Sequence, residues 1–137
     1  MNTLKQIADY IVNKSLSTPP IKESSWGFIR RFEELNSKLY PYAFLVVSEF
    51  PITPYSSSFN FSLVVADLLD FDFSNENNLI SDCFEIAHSI LSAIDREQLV
   101  LLDNINITPF TTRGTDNVAG CTANFTVNVD KPFNICS

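Results

Sequence analysis

Glycine is scarce in this chain: Gly27, Gly114 and Gly120 are the only three in 137 residues. A glycine-rich loop that cradles a phosphate is therefore excluded. Histidine is scarcer still, with His88 alone. It falls three residues after Glu85 on a helical stretch, where a local hydrogen bond accounts for it, and Cys83 does not share its face, so no local Cys–His nucleophile pair is spelled out. The three cysteines, Cys83, Cys121 and Cys136, are odd in number and contain no CxxC pair, which reads as free thiols in a reducing compartment. Apolar runs long enough to span a bilayer are missing, and Met1 to Leu16 lacks the apolar centre of a signal peptide. Positive charge is also in short supply: nine Lys+Arg stand against sixteen Asp+Glu, a net charge of −7. Such a balance repels phosphate backbones and argues against a sequence-specific nucleic-acid binder.

What is present suits one compact domain. The length lies within the roughly 100–200 residues of a typical domain, and 45% of the residues are hydrophobic, twelve of them Phe. Core material is ample, so neither disulfide nor metal is needed to staple the fold. Charge is unevenly placed. From Asn60 to Ile107 the only base is Arg96, against Asp67, Asp70, Asp72, Glu76, Asp82, Glu85, Asp95, Glu97 and Asp103, whereas Lys22, Arg30, Arg31 and Lys38 come earlier. A domain with regions of opposite sign can dock head-to-tail on copies of itself; solvated faces without a partner are the other reading.

Leu4, Ile7, Ala8, Ile11 and Val12 recur at helical spacing and predict an amphipathic helix from Thr3 to Leu16, ended by Pro19 and Pro20. A linker to about Ser25 follows. Trp26 to Glu33 reads as a strand, or as a short helix through Leu39. Tyr42 to Phe50 is apolar on both faces, as a central strand would be. Phe59, Phe61, Leu63 and Val65 alternate with polar residues and predict a strand to Leu69. Ser74 stands where an N-cap would, before a helix over Asn75 to Asp95 with the stripe Ile80, Cys83, Phe84, Ala87, Leu91 and Ile94. Two strands close the chain, one carrying Ile105 and Ile107, the other Cys121, Ala123, Phe125, Val127 and Val129. The expectation is a single α+β domain over 1–137: an N-terminal helix and linker over 1–25, then a mostly antiparallel sheet of about five strands over 26–137 with the main helix at 75–95, both helices on one face.

The opposite sheet face would present Asn60, Ser62, Asn104, Asn106, Thr108, Thr122, Asn124, Thr126 and Asn128, with no charge. Exposed sheet faces commonly carry charge. A face like this one fits a subunit contact or a channel wall, although an ordinary solvated face is the commoner case. Catalytic and metal motifs fail on inspection. Asp70-Phe71-Asp72-Phe73-Ser74 begins like a calcium loop, but Asn75 and Ser81 occupy the places of its Gly and Glu. The sequons at Asn13, Asn60, Asn106 and Asn124 arise by chance in Asn- and Thr-rich strands. An enzyme would need His88, Cys121, Asp116 and Arg113 to converge, and no motif singles out a carboxylate pair. The reading is no enzyme, no cofactor and no metal.

Three stretches carry a family likeness. They are Leu39-Tyr40-Pro41-Tyr42 leading into Ala43–Val47; Phe59 to Asp67 with Ser74-Asn75-Glu76 and Leu79–Asp82; and Thr108-Pro109-Phe110-Thr111 with Asp116–Gly120 and a terminal Phe133-Asn134-Ile135-Cys136. In this order they resemble small virion proteins of crAss-like and related Bacteroidetes phages, and the element order is similar to the tail-terminator and tail-completion fold of tailed phages. The likeness runs from about Tyr40 onward and departs at Cys121, where an aromatic is expected. It implies a structural subunit of a twelvefold or sixfold ring in the head-to-tail neck, made in the bacterial host cytoplasm and carried in the virion. It further implies portal-adaptor, neck and tail ring proteins as neighbours, and genomic DNA passing through unread. The candidate subunit contacts are Arg30, Arg31, Asp67, Asp70, Asp72, Arg113 and Asp116. A small acidic phage-encoded binding or accessory module is the alternative.

Overall fold

The computed structural model describes residues 3–19, 21–27, 41–49, 57–68, 74–112 and 118–129. Its elements are α1 (Leu4–Leu16), β1 (Glu23–Gly27), β2 (Tyr42–Glu49), β3 (Ser57–Leu68), α2 (Glu76–Glu97), β4 (Leu101–Thr112) and β5 (Val118–Val129). The strands form one sheet in the order β1-β2-β3-β5-β4. Three of the neighbouring pairs are antiparallel, and β1 lies parallel to β2. The α+β expectation, with a mostly antiparallel five-stranded sheet, is met.

Local chemistry sets the helix ends. Thr3 caps α1 reciprocally: its Oγ1 accepts from the Gln6 backbone N–H at 3.2 Å, and Gln6 Oε1 accepts from the Thr3 N–H at 3.3 Å. At the far end the Ser17 backbone N–H donates to the Asn13 carbonyl at 3.1 Å, and the Ser17 and Thr18 hydroxyls add bonds to the carbonyls of Asn13 and Lys14 in the last turn. The start of α2 differs from the expected Ser74 cap. Asn75 holds the cap position without a side-chain cap bond, and its Nδ2 reaches the Leu68 carbonyl at 3.4 Å. Glu76 still complements the positive end of the helix.

One face of the sheet meets both helices. Ala43, Leu45 and Val47 of β2, Phe61, Leu63 and Val65 of β3, and Cys121, Ala123, Phe125 and Val127 of β5 pack with Ile7, Ala8 and Ile11 of α1 and Cys83, Ile86, Ala87, Ile90, Leu91 and Ile94 of α2. Each fully buried large aliphatic or aromatic side chain stabilises the fold by about 1.5–3 kcal/mol. Phe84, expected in the α2 stripe, lies outside it: the ring is 41% exposed and stacks on His88 at 6.1 Å. A second cluster, Tyr42, Phe44, Val46 and Val64 with Phe110 against it, is buried on the other face of the sheet. β2 is thus apolar and buried on both sides, as its sequence predicted.

Two strands depart from expectation. β1 starts at Glu23, inside the expected linker, and it pairs parallel to β2 although short connections favoured antiparallel neighbours. The connection from 28 to 41 is long enough for the crossover that a parallel pair requires; the rest of the expected Trp26–Glu33 strand, and the alternative helix through Leu39, lie outside the described residues. In β4 the register shifts between Asp103 and Asn106, so Asn104 and Ile105 together oppose one residue of β5. Asn104 takes a left-handed φ of 54°, the conformation of the first residue in one bulge class, which Asn tolerates better than other side chains except Gly. The shift interrupts the alternation between Asp103 and Asn106. Ile107 packs against the core, and Ile105 is 49% exposed.

Candidate assembly surfaces

The first surface is the polar half of the sheet, away from the helices. The register sets Ser58 beside Asn128, Asn60 beside Thr126, and Ser62 beside Asn124. Each of these pairs is hydrogen bonded through side chains. Ser58 Oγ donates to Asn128 Oδ1 at 2.7 Å, Thr126 Oγ1 to Asn60 Oδ1 at 2.8 Å, and Ser62 Oγ to Asn124 Oδ1 at 2.5 Å. On β4 the rows continue through Asn106 beside Asn124 and Thr108 beside Thr122. Cross-strand pairs of this kind contribute roughly 0.2–1 kcal/mol each and hold their side chains in one rotamer. Two acidic residues flank these rows among the described positions, Glu49 beside Asn60 and Asp103 beside Thr126, and no Lys or Arg falls in them. Eight of the nine residues expected on this face lie on it by register; Asn104 is the exception, because the bulge takes it out of the alternation.

The second surface is the β4 edge. β4 has β5 on one side and no strand on the other among the described residues. Leu99 is 57% and Leu101 67% exposed, with Ile105 close to them in sequence. Two features blunt this edge against uncontrolled strand pairing: the bulge at Asn104 and Pro109, which has no N–H to donate.

The opposite edge is anchored by polar contacts. Trp26 Nε1 on β1 donates to Asp9 Oδ1 at 3.0 Å, and Lys5 bridges the same carboxylate at 2.8 Å. Those two donors hold the Asp9 carboxyl below its ordinary value. Glu97, at the end of α2, takes a salt bridge from Lys14 at 2.5 Å and a hydrogen bond from Tyr10 Oη at 2.8 Å. The Lys14 ammonium and the Tyr10 hydroxyl lower the Glu97 carboxyl, while burial and the neighbouring carboxylate push Tyr10 up to about 12. A shallow hollow on α1 is lined by Gln6, Asp9, Tyr10 and Asn13. These contacts tie α1 to β1 and α2.

The thiols face inward. Cys83 and Cys121 are buried and unbridged. Cys83 Sγ lies 3.9 Å from the Ala119 carbonyl and Cys121 Sγ donates to the Ile80 carbonyl at 3.4 Å. Burial first, then Cys121 and two carboxylates, push the Cys83 thiol up to about 12; burial raises Cys121 also. His88 is exposed on α2 and forms no hydrogen bond with Glu85, contrary to expectation. A buried Cys121 and an exposed His88 do not make a nucleophile pair. No group of three or more His, Cys, Asp or Glu that could hold a metal ion occurs among the described residues.

Of the expected contact residues, Asp67 alone is described. It sits half-buried on β3, and its Oδ1 accepts the neighbouring Leu68 N–H at 2.8 Å, a local bond. Arg30, Arg31, Asp70, Asp72, Arg113 and Asp116, and likewise Cys136, lie outside the described residues. The exposure of Leu99, Leu101 and Ile105 was missed in the sequence, and the bulge beside Ile105 has no signal there beyond an Asn. Among the described residues no helix is long and apolar enough to cross a membrane. No protein-family model and no curated protein matches the chain.

Proposed function

We propose that this chain is a non-catalytic, self-assembling structural domain: a ring subunit in the neck between head and tail of a tailed bacteriophage. The observation that carries the reading is the polar half of the sheet, whose Ser, Thr and Asn side chains are hydrogen bonded to one another across β3 and β5 and whose flanking ionisable residues, Glu49 and Asp103, are both acidic. A wall of this kind gives a passing DNA duplex no cations to exchange for its counterions, so DNA slides without being held. The acidic remainder of the surface has the same effect at longer range. The phage likeness of the three sequence stretches supplies the specific setting, with portal-adaptor, neck and tail ring proteins above and below. Twelvefold or sixfold closure belongs to that setting, as do assembly in the host cytoplasm and residence in the virion. The ring has no cofactor and no reaction to perform.

Electron microscopy of the protein mixed with portal, or of the intact particle, tests the proposal. A closed multimer coaxial with the portal is the expected result. A chain that stays outside any closed multimer in the presence of its virion neighbours overturns it, and a small acidic phage accessory module becomes the better account.

A further inference from the structure

We propose that Cys83 and Cys121 are a latent disulfide pair, whose sulfurs join under a hydroperoxide and pin α2 to β5. The inference stands apart from the assembly reading, and the outcome of one does not decide the other.

The geometry of the helix–sheet seam carries it. Cys83 Sγ lies 3.9 Å from the Ala119 carbonyl oxygen, and Cys121 Sγ lies 3.4 Å from the Ile80 carbonyl oxygen. Each sulfur thus crosses from its own element to the backbone of the other, in opposite directions. At both places the gap between α2 and β5 is one cysteine side chain wide, comparable to the roughly 4.4–6.8 Å between Cα atoms that a disulfide spans. Small buried residues permit the approach: Ala87, one turn beyond Cys83 on α2, and Ala119 and Ala123 on β5. The two crossings are also adjacent. Cys121 stands two residues beyond Ala119, on the same face of the strand. On a helix the side chains tilt toward the N-terminus while the carbonyls point toward the C-terminus. The Cys83 thiol therefore sits near the level of the Ile80 carbonyl that Cys121 meets. After burial, the nearness of Cys121 is the next largest cause of the raised Cys83 thiol.

Hydrogen peroxide balances the reaction. Its O–O bond breaks on one thiol, giving a sulfenic acid and one water; the second sulfur then attacks the sulfenic sulfur, and the hydroxyl leaves with the second thiol proton as another water. Two thiols and one peroxide become one disulfide and two waters. Both thiols are buried and held protonated, so the reaction waits on local opening of the seam and runs slowly. The pair is a slow lock, not a rapid sensor. Once formed, the bond closes a loop of roughly 40 residues through β4, which should raise the melting midpoint by about 10 °C.

The test treats the folded full chain with hydrogen peroxide well below its melting midpoint, alkylates the remaining thiols in denaturant, and maps linkages by mass spectrometry without reduction. A linked Cys83–Cys121 peptide is expected, with a midpoint about 10 °C higher that a dithiol reductant reverses. The same link and shift are expected in Cys136→Ser, which removes the third thiol. Cys121→Ser should lose both. Cys83 and Cys121 recovered as free thiols or as sulfinic acids, a link to Cys136 or between copies, or a linked chain that melts no higher would each overturn the proposal.

Discussion

Gly120 is the position where a single added methyl group should do most damage. It lies on β5 between Ala66 of β3 and Phe110 of β4. A Cβ built there would stand 1.9 Å from the Val65 carbonyl oxygen and 2.9 Å from the Ala66 Cα, both backbone atoms that cannot swing aside. Relief requires the strands to part by roughly 1 Å, an overpacking that costs about 1–3 kcal/mol. Stretching one or two ladder hydrogen bonds in the process costs about 1 kcal/mol each. Gly120→Ala should therefore destabilise the protein by about 3–4 kcal/mol, a large part of the ~5–15 kcal/mol available to a domain. With a urea m-value of about 2 kcal/mol/M, the unfolding midpoint falls by about 2 M. The sign is diagnostic, because where the backbone has room Gly→Ala stabilises by about 0.4–1 kcal/mol through the unfolded chain. A midpoint that is unchanged or raised would refute the close approach of β3 and β5 described here.

Two left-handed residues give predictions of opposite sign. Gln98 ends α2 with φ 56°, so Gln98→Gly should raise stability by about 0.5–1 kcal/mol in urea titrations, and a loss would count against a left-handed helix end. Asn104 occupies the bulge at φ 54°; Asn104→Ala should cost about 1 kcal/mol while Asn104→Gly costs none, and equal effects of the two would remove the bulge from the argument. Alkali should destabilise the fold through two groups whose protons the folded state retains. Cys83 is raised from an ordinary 9.0 to about 12, and Tyr10 from 10.0 to about 12. Folded values above unfolded ones mean stability is complete below about pH 9 and declines as pH climbs toward 12. Thermal melts between pH 8 and 11 should show a falling midpoint, and a flat profile would contradict it. The same burial should leave Cys83 inert to a thiol reagent at pH 8 until the protein unfolds.

Much of the fold was legible in the sequence wherever a segment's own pattern settles its structure. The α1 boundaries follow from the helical spacing of Leu4, Ile7, Ala8, Ile11 and Val12 and from the prolines after Leu16. The α2 body follows from a long apolar stripe, and β3 and β5 from clean alternation. Those signals are local, carried by residues within a few positions of one another. Partners distant in the chain were not legible. Nothing near Trp26 says that β1 runs parallel to β2, because that depends on where the chain goes between residues 28 and 41. Asn104 could not be told from its neighbours Asn106 and Thr108, since a bulge is a mismatch between two strands and β4 supplies only one of them. Phe84 looked like core because periodicity sees the helix but not the width of the surface it covers. The Asn-, Ser- and Thr-rich sheet face was visible as composition. Only the register of β3 against β5 turned it into three hydrogen-bonded pairs, and only the tertiary packing brought Lys14 and Tyr10 of α1 onto Glu97, more than eighty residues away in the chain.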